Sequence, residues 1–200
     1  FSCPEVRRAN VTRDSSNMSA AGDRLFVAHG RHCLGIDAQT GQRSRRYSVP
    51  AAGEESRDWG YVAAEGGLLV GSRVKPGSAY LGDDGEWYEE YAADQIARVT
   101  SDLLFATDPD TGKSVWQYSG GAVLNSTITL GDGMLFFLES RNPEAVVAPF
   151  ARQSPNVLTD QWLVALDLKT GKKLWQKQHD FSACKFMTYL VYGKNTVVVT

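Results

Sequence analysis

Histidine and cysteine are scarce in this chain: three of each in 200 residues. His29, His32 and His179 leave little room for a Ser-His-Asp site, and neither G-x-S-x-G nor H-E-x-x-H occurs. Cys3, Cys33 and Cys184 form no C-x-x-C and no adjacent pair, so a zinc ribbon, a thioredoxin-type redox site and a vicinal disulfide are all excluded. One disulfide among the three is allowed, with buried free thiols as the alternative. Charge of one sign is also lacking. A net charge of −2 offers no field to recruit nucleic acid or an anionic membrane, and the arginine groups Arg7-Arg8 and Arg43, Arg45, Arg46 are too small for an electrostatic footprint. No run reaches the roughly 18 apolar residues of a membrane-spanning helix. The chain opens on FSCPEVRR, without a starting Met or signal pattern, and closes inside the apolar run NTVVVT. Both ends read as cut, which leads us to expect a piece of a longer protein.

What is present is a repeat. DPDTGKSVW at 108–116 recurs as DLKTGKKLW at 167–175 and, more weakly, as DAQTGQRSR at 37–45. Taken alone, the first copy suggests three chemistries: an aspartate nucleophile with a partner acid, a calcium loop, or the tail of a phosphate loop. The other copies remove them. Where the first has Asp110 the others have Gln39 and Lys169, so only one carboxylate per copy is retained. A phosphate loop needs Gly five residues before Gly112, where Thr107 stands. Asp37/Thr40/Gly41, Asp108/Thr111/Gly112 and Asp167/Thr170/Gly171 are therefore expected to be structural corners between strands. Gly supplies positive φ, and Asp and Thr bond nearby amides.

A second element precedes each corner: AAGDRLFVAHG, AAEGGLLVGS, TLGDGMLFFLES and VYGKNTVVVT, each a short Gly-containing turn entering β-formers. The unit is strand A, turn, strand B, a variable link, strand C, corner, strand D. Four antiparallel strands repeated in this way make a β-propeller blade, and the chain is expected to be all-β, one propeller domain throughout. The expected blades span 15–50, 58–119 and 122–179, with half a blade at 183–200, or about three and a half blades.

The run LVALDLKTGKKLW, with LLFATDPDTGKSVW, resembles the repeat of quinoprotein-type (PQQ-like) propellers. This family includes pyrroloquinoline-quinone dehydrogenases and cofactor-free relatives such as outer-membrane assembly lipoproteins. The resemblance implies a ring of about seven or eight blades, a periplasmic or extracellular setting, and inter-blade docking by Trp116 and Trp175. Arg45 stands where the first copy of the corner should have its Trp.

Two insertions lengthen the repeat, at 73–102 and 139–160, and both are B–C links, which antiparallel order places on one face together with the D–A links. In the first, Trp87, Tyr88, Tyr91, Ile96 and Val99 fit one side of a short helix, alongside the acids Asp83, Asp84, Glu86, Glu89, Glu90 and Asp94, a solvated face or a cation or basic-partner site. The second, with three prolines, reads as an ordered loop without regular structure. His29, His32 and Cys33 are close enough in sequence to suggest soft metal ligands, but no fourth ligand follows. Asn10, Asn17 and Asn125 head N-x-S/T triplets.

Two functional readings follow. One is a non-catalytic scaffold that binds a protein or small ligand through the loop-bearing face, with remaining blades or a second copy closing the ring. The other is a dehydrogenase domain for alcohols or sugars using PQQ with calcium, for which Glu139, Arg141 and Asn142 are the candidate ligands; beside these two stands a third possibility, an accessory propeller to an enzyme domain elsewhere in the full chain.

Overall fold

The computed structural model describes residues 11–12, 16–53, 57–77, 79–80, 98–153, 156–183 and 188–200. The helix expected from Trp87 to Ile96, its acids, Cys3, Cys184 and Asn10 lie outside the described residues.

The order of elements follows the repeat. β1 (Val11–Thr12) pairs with β8 (Ala79–Tyr80). β2 (Met18–Ala21), β3 (Arg24–His29), β4 (His32–Asp37) and β5 (Arg43–Ser48) form a four-stranded antiparallel sheet in sequence order. β6 (Asp58–Glu65), β7 (Leu68–Val74), β9 (Arg98–Thr107) and β10 (Ser114–Tyr118) repeat the pattern. β12 (Thr129–Gly131), β13 (Met134–Ser140), β15 (Gln161–Asp167) and β16 (Lys173–Gln178) repeat it again. β17 (Leu190–Gly193) and β18 (Thr196–Val199) form a hairpin. The fold is all-β, part of a propeller. Its A–B turns are tight: Gly66-Gly67, Asp132-Gly133 and Lys194-Asn195 each place both central residues at positive φ, the type I′ geometry whose twist matches the strands it joins.

Three differences from the sequence reading stand out. Strand A of the third unit is broken: β11 (Ala122–Leu124) comes first, then a 3-10 turn (Asn125–Thr127), then β12. β11 pairs with both β9 and β13, so the second and third units share one ten-stranded sheet. Strand C of the second unit begins at Arg98, which makes Val99 a buried strand residue rather than part of a helix. The second insertion contains a short helix, α1 (Pro143–Val147), and the two-residue strand β14 (Arg152–Gln153) paired with β9.

The cores lie between units, and strand alternation explains how one strand serves two of them. On β13, Leu135 and Phe137 join Leu104, Ala106, Trp116, Val164 and Leu166 in the core between the second and third units. Phe136 and Leu138 on the same strand face Leu190 and Tyr192 of the last hairpin. On β9, Leu103 and Phe105 turn the other way, toward Phe26, Cys33, Tyr47 and Trp59. This is why LLFA and MLFFL are apolar at every position rather than at every second one.

Candidate functional site

The three corners are built alike. Asp37 Oδ1 accepts from the amides of Gln39 (3.0 Å) and Thr40 (2.7 Å) and from Thr40 Oγ1 (2.8 Å). Asp108 Oδ1 accepts from the amides of Asp110 (2.9 Å) and Thr111 (2.8 Å). Asp167 Oδ1 accepts from the Thr170 amide (2.8 Å) and from Thr170 Oγ1 (2.6 Å). Gly41, Gly112 and Gly171 take φ of 71°, 75° and 67°, a region that a Cβ makes costly. These bonds hold all three carboxyls below the usual carboxylate range, led by the Thr amide at Asp37 and Asp108 and by the Thr hydroxyl at Asp167. Their lone pairs are directed at their own loops.

The second and third corners also receive the preceding unit. Trp116 is 7% exposed; its Nε1 donates to the Leu168 carbonyl (2.8 Å), and its ring lies over Gly171, where an added Cβ would come within 2.6 Å of Cδ2. In the first unit the Trp position holds Arg45, and docking is done differently. Arg45 Nη1 donates to the Thr111 carbonyl (3.1 Å) and the Tyr47 hydroxyl to that of Pro109 (2.6 Å). Arg24 adds a bond to Pro109 and an ion pair with Asp110 at 2.9 Å. Trp175 is 37% exposed and packs on Phe136 with ring centroids 6.0 Å apart.

The opposite face carries both insertions, and they are fastened to one another. Lys75 is buried, and its ammonium donates to the carbonyls of Ala145 (3.3 Å), Val146 (2.6 Å) and Ala148 (2.8 Å), capping the C-terminal end of α1. Burial pulls this lysine below its ordinary range. At the other end of α1, Asn142 Oδ1 accepts from the Glu144 amide (2.8 Å) and Pro143 occupies the first turn. Asn-Pro followed by Glu is a helix-start signal carried by the sequence itself, and here it outweighs the loop expected from the three prolines. Val146, Val147 and Phe150 are left exposed at 42%, 77% and 64%, over a cleft of about 490 Å³ floored by Arg57, Lys75 and Asp102. A second cleft of about 590 Å³ lies on the same face between Thr159, Asp160, Gln178, His179 and Asp180.

Glu139, Arg141 and Asn142 are brought close together, but they bond one another and their neighbours. Glu139 is fully buried; Oε1 accepts from Arg141 Nε (2.8 Å) and Nη2 (2.7 Å), and both carboxylate oxygens accept from the Tyr118 hydroxyl (3.1 Å). Burial raises the carboxyl while the arginine and tyrosine oppose the rise. Arg141 lies 4.3 Å over the Trp162 ring and bonds Gln176. A calcium ion would meet a carboxylate already neutralised by a guanidinium, and Asn142 has committed its oxygen to α1. These residues do not fit a calcium–quinone site.

His29, His32 and Cys33 do not converge as three. Cys33 is a free, buried thiol on the core face of β4, pushed well above its ordinary range by burial, whereas the two imidazoles stand on the other face. Among the described residues, no group of three metal-ligating side chains is present. Asn125 is 1% exposed, and its Oδ1 accepts from Ser101 Oγ (2.6 Å), so its triplet is closed to glycosylation in the folded chain. With Ser72 it forms a buried polar knot that no sequence motif announced.

The model of the PQQ-type family described as Outer membrane protein assembly factor BamB matches residues 89–199, more than half of the chain. The chain belongs to this family. No curated protein matches it. Among solved structures, the computationally designed Ika8 protein aligns with TM-score 0.52 and 13% identity over 91% of this chain and 41% of that one. The designed Ika4 protein gives 0.51 and 12% over 92% and 88%. The quinohemoprotein alcohol dehydrogenase from Comamonas testosteroni gives 0.52 and 14% over 82% and 27%. At these identities the likeness shows the fold, and this BamB-family chain spans less than half of Ika8 and of the Comamonas enzyme.

Proposed function

We propose that this chain is part of a non-catalytic PQQ-like propeller that binds a partner through the loop-bearing face, in a periplasmic or outer-membrane-facing setting. The observation that carries the reading is the fastening of the two insertions by Lys75, which presents Val146, Val147 and Phe150 on a rigid support. Ordering these side chains in advance lowers the entropic cost of binding, and exposed apolar groups clustered beside charged ones are the usual composition of an interaction site. The blade limits set out above, and closure of the ring by further blades or a second copy, belong to the same proposal.

A photo-crosslinking residue at position 147 or 150, in cells expressing the full-length protein, is expected to trap one discrete species that Lys75→Met abolishes. Equal trapping from position 172, on the corner face, would count against the reading. So would calcium-dependent, stoichiometric heat on titration with PQQ, which would restore the dehydrogenase alternative.

A further inference from the structure

The turn between β3 and β4, the short B–C link of the first unit, sets two imidazoles side by side at the loop-bearing face. His29 and His32 are directly opposed across the hairpin, an arrangement that places Cβ atoms about 5 Å apart on one side of the sheet. Only Gly30, with φ of 55°, and Arg31 separate them. Nδ1 of His29 is sealed from solvent without a hydrogen-bond partner. Nδ1 of His32 faces Ser48 Oγ at 3.4 Å. Nε2 is the remaining nitrogen of each ring.

We propose that His29 and His32 chelate one divalent transition-metal ion through their Nε2 atoms, with copper(II) preferred by the affinity order of nitrogen ligands. Ser48 is a positioning residue. A proton on His32 Nδ1, directed at its hydroxyl, leaves the Nε2 lone pair free. Arg46 and Arg31 bring positive charge close to His32. The same guanidiniums oppose any dication, which separates an ion held by nitrogen coordination from calcium or magnesium, held mainly by charge. Asp58 stands beside the turn and partly offsets them, 3.9 Å from a Cβ built on Gly30. Water fills the remaining coordination positions.

The test is titration of the full-length protein with copper(II) near neutral pH, followed by calorimetry and by electron paramagnetic resonance. The expected result is one ion per chain with two nitrogen ligands, insensitive to excess calcium. Loss of an outer-shell partner alone weakens metal sites by about 10–100-fold, so His29→Ala and His32→Ala should each weaken binding by at least about tenfold and abolish the two-nitrogen signature. His179→Ala should change neither, and thermal melts check that each variant is folded. Absence of binding, or binding that persists unchanged in the folded double variant, overturns the proposal.

Discussion

Trp116 and Trp175 occupy equivalent places in two copies of one motif, yet one is buried and hydrogen-bonded while the other is a third exposed. The difference is not in their own loops, which share Asp, Thr and Gly, the bond from the Thr amide to the Asp carboxylate and that from the Gly amide to the Asp carbonyl. It lies in what stands next to them. Trp116 has the Asp167–Gly171 corner of the following unit beneath its ring, whereas the unit after Trp175 is represented by the hairpin β17–β18 alone. A residue's contribution here is set by the neighbouring repeat at least as much as by its own.

That contrast can be broken most directly by truncation. Trp116→Ala is expected to cost about 3–5 kcal/mol and Trp175→Ala about 1–2 kcal/mol, read as shifts of the urea midpoint at constant slope; equal losses would end the comparison. Gly171→Ala should come next. It combines a left-handed φ, about 1–2 kcal/mol for an L-residue, with a Cβ driven into the Trp116 ring. Gly112→Ala should show the φ penalty alone, because its Cβ would meet only the movable end of Arg45 at 3.2 Å. Arg45→Ala should cost about 1 kcal/mol, one exposed bond to the Thr111 carbonyl, with Tyr47 keeping the first interface closed.

The smallest effect is one of pH. The corner carboxyls have folded-state values depressed by their loop bonds, so on acidification the unfolded chain takes up protons first. Their stabilisation is fully present above the ordinary carboxylate range and is lost as pH falls through the depressed values. Melting temperature measured down a pH series should fall less steeply in Asp108→Asn than in the parent chain.

The corners were legible because their chemistry is local: Asp bonds amides two and three residues on, and three copies side by side exposed which positions were dispensable. The strand order followed from the same repetition. The loop-bearing face was legible only as a location. Lys75 and Ala145 are far apart in sequence, and nothing in SRVKPG says that its lysine will cap a helix in the other insertion. Glu139 reads as a possible ligand because its carboxylate is visible in the sequence, while its partner Tyr118, brought in by the preceding unit, is not. His29 and His32 lie close to Cys33 in sequence, but pleating along β4 sends Cys33 to the side opposite His32, and the cross-strand pairing of His29 with His32 puts both imidazoles on one side.

The two-sided apolar strands carry a consequence for how the molecule opens. β9 and β13 each belong to two cores at once, so neither can be released without disturbing both neighbours, whereas the hairpin β17–β18 is held from one side. Loss of structure should run inward like unzipping, and amide exchange would map it: slowest in the middle of β9 and β13, fastest in the last hairpin. In this architecture the slowly exchanging amides mark the strands with two neighbours, and adding or removing a unit at either end should move that boundary along the chain.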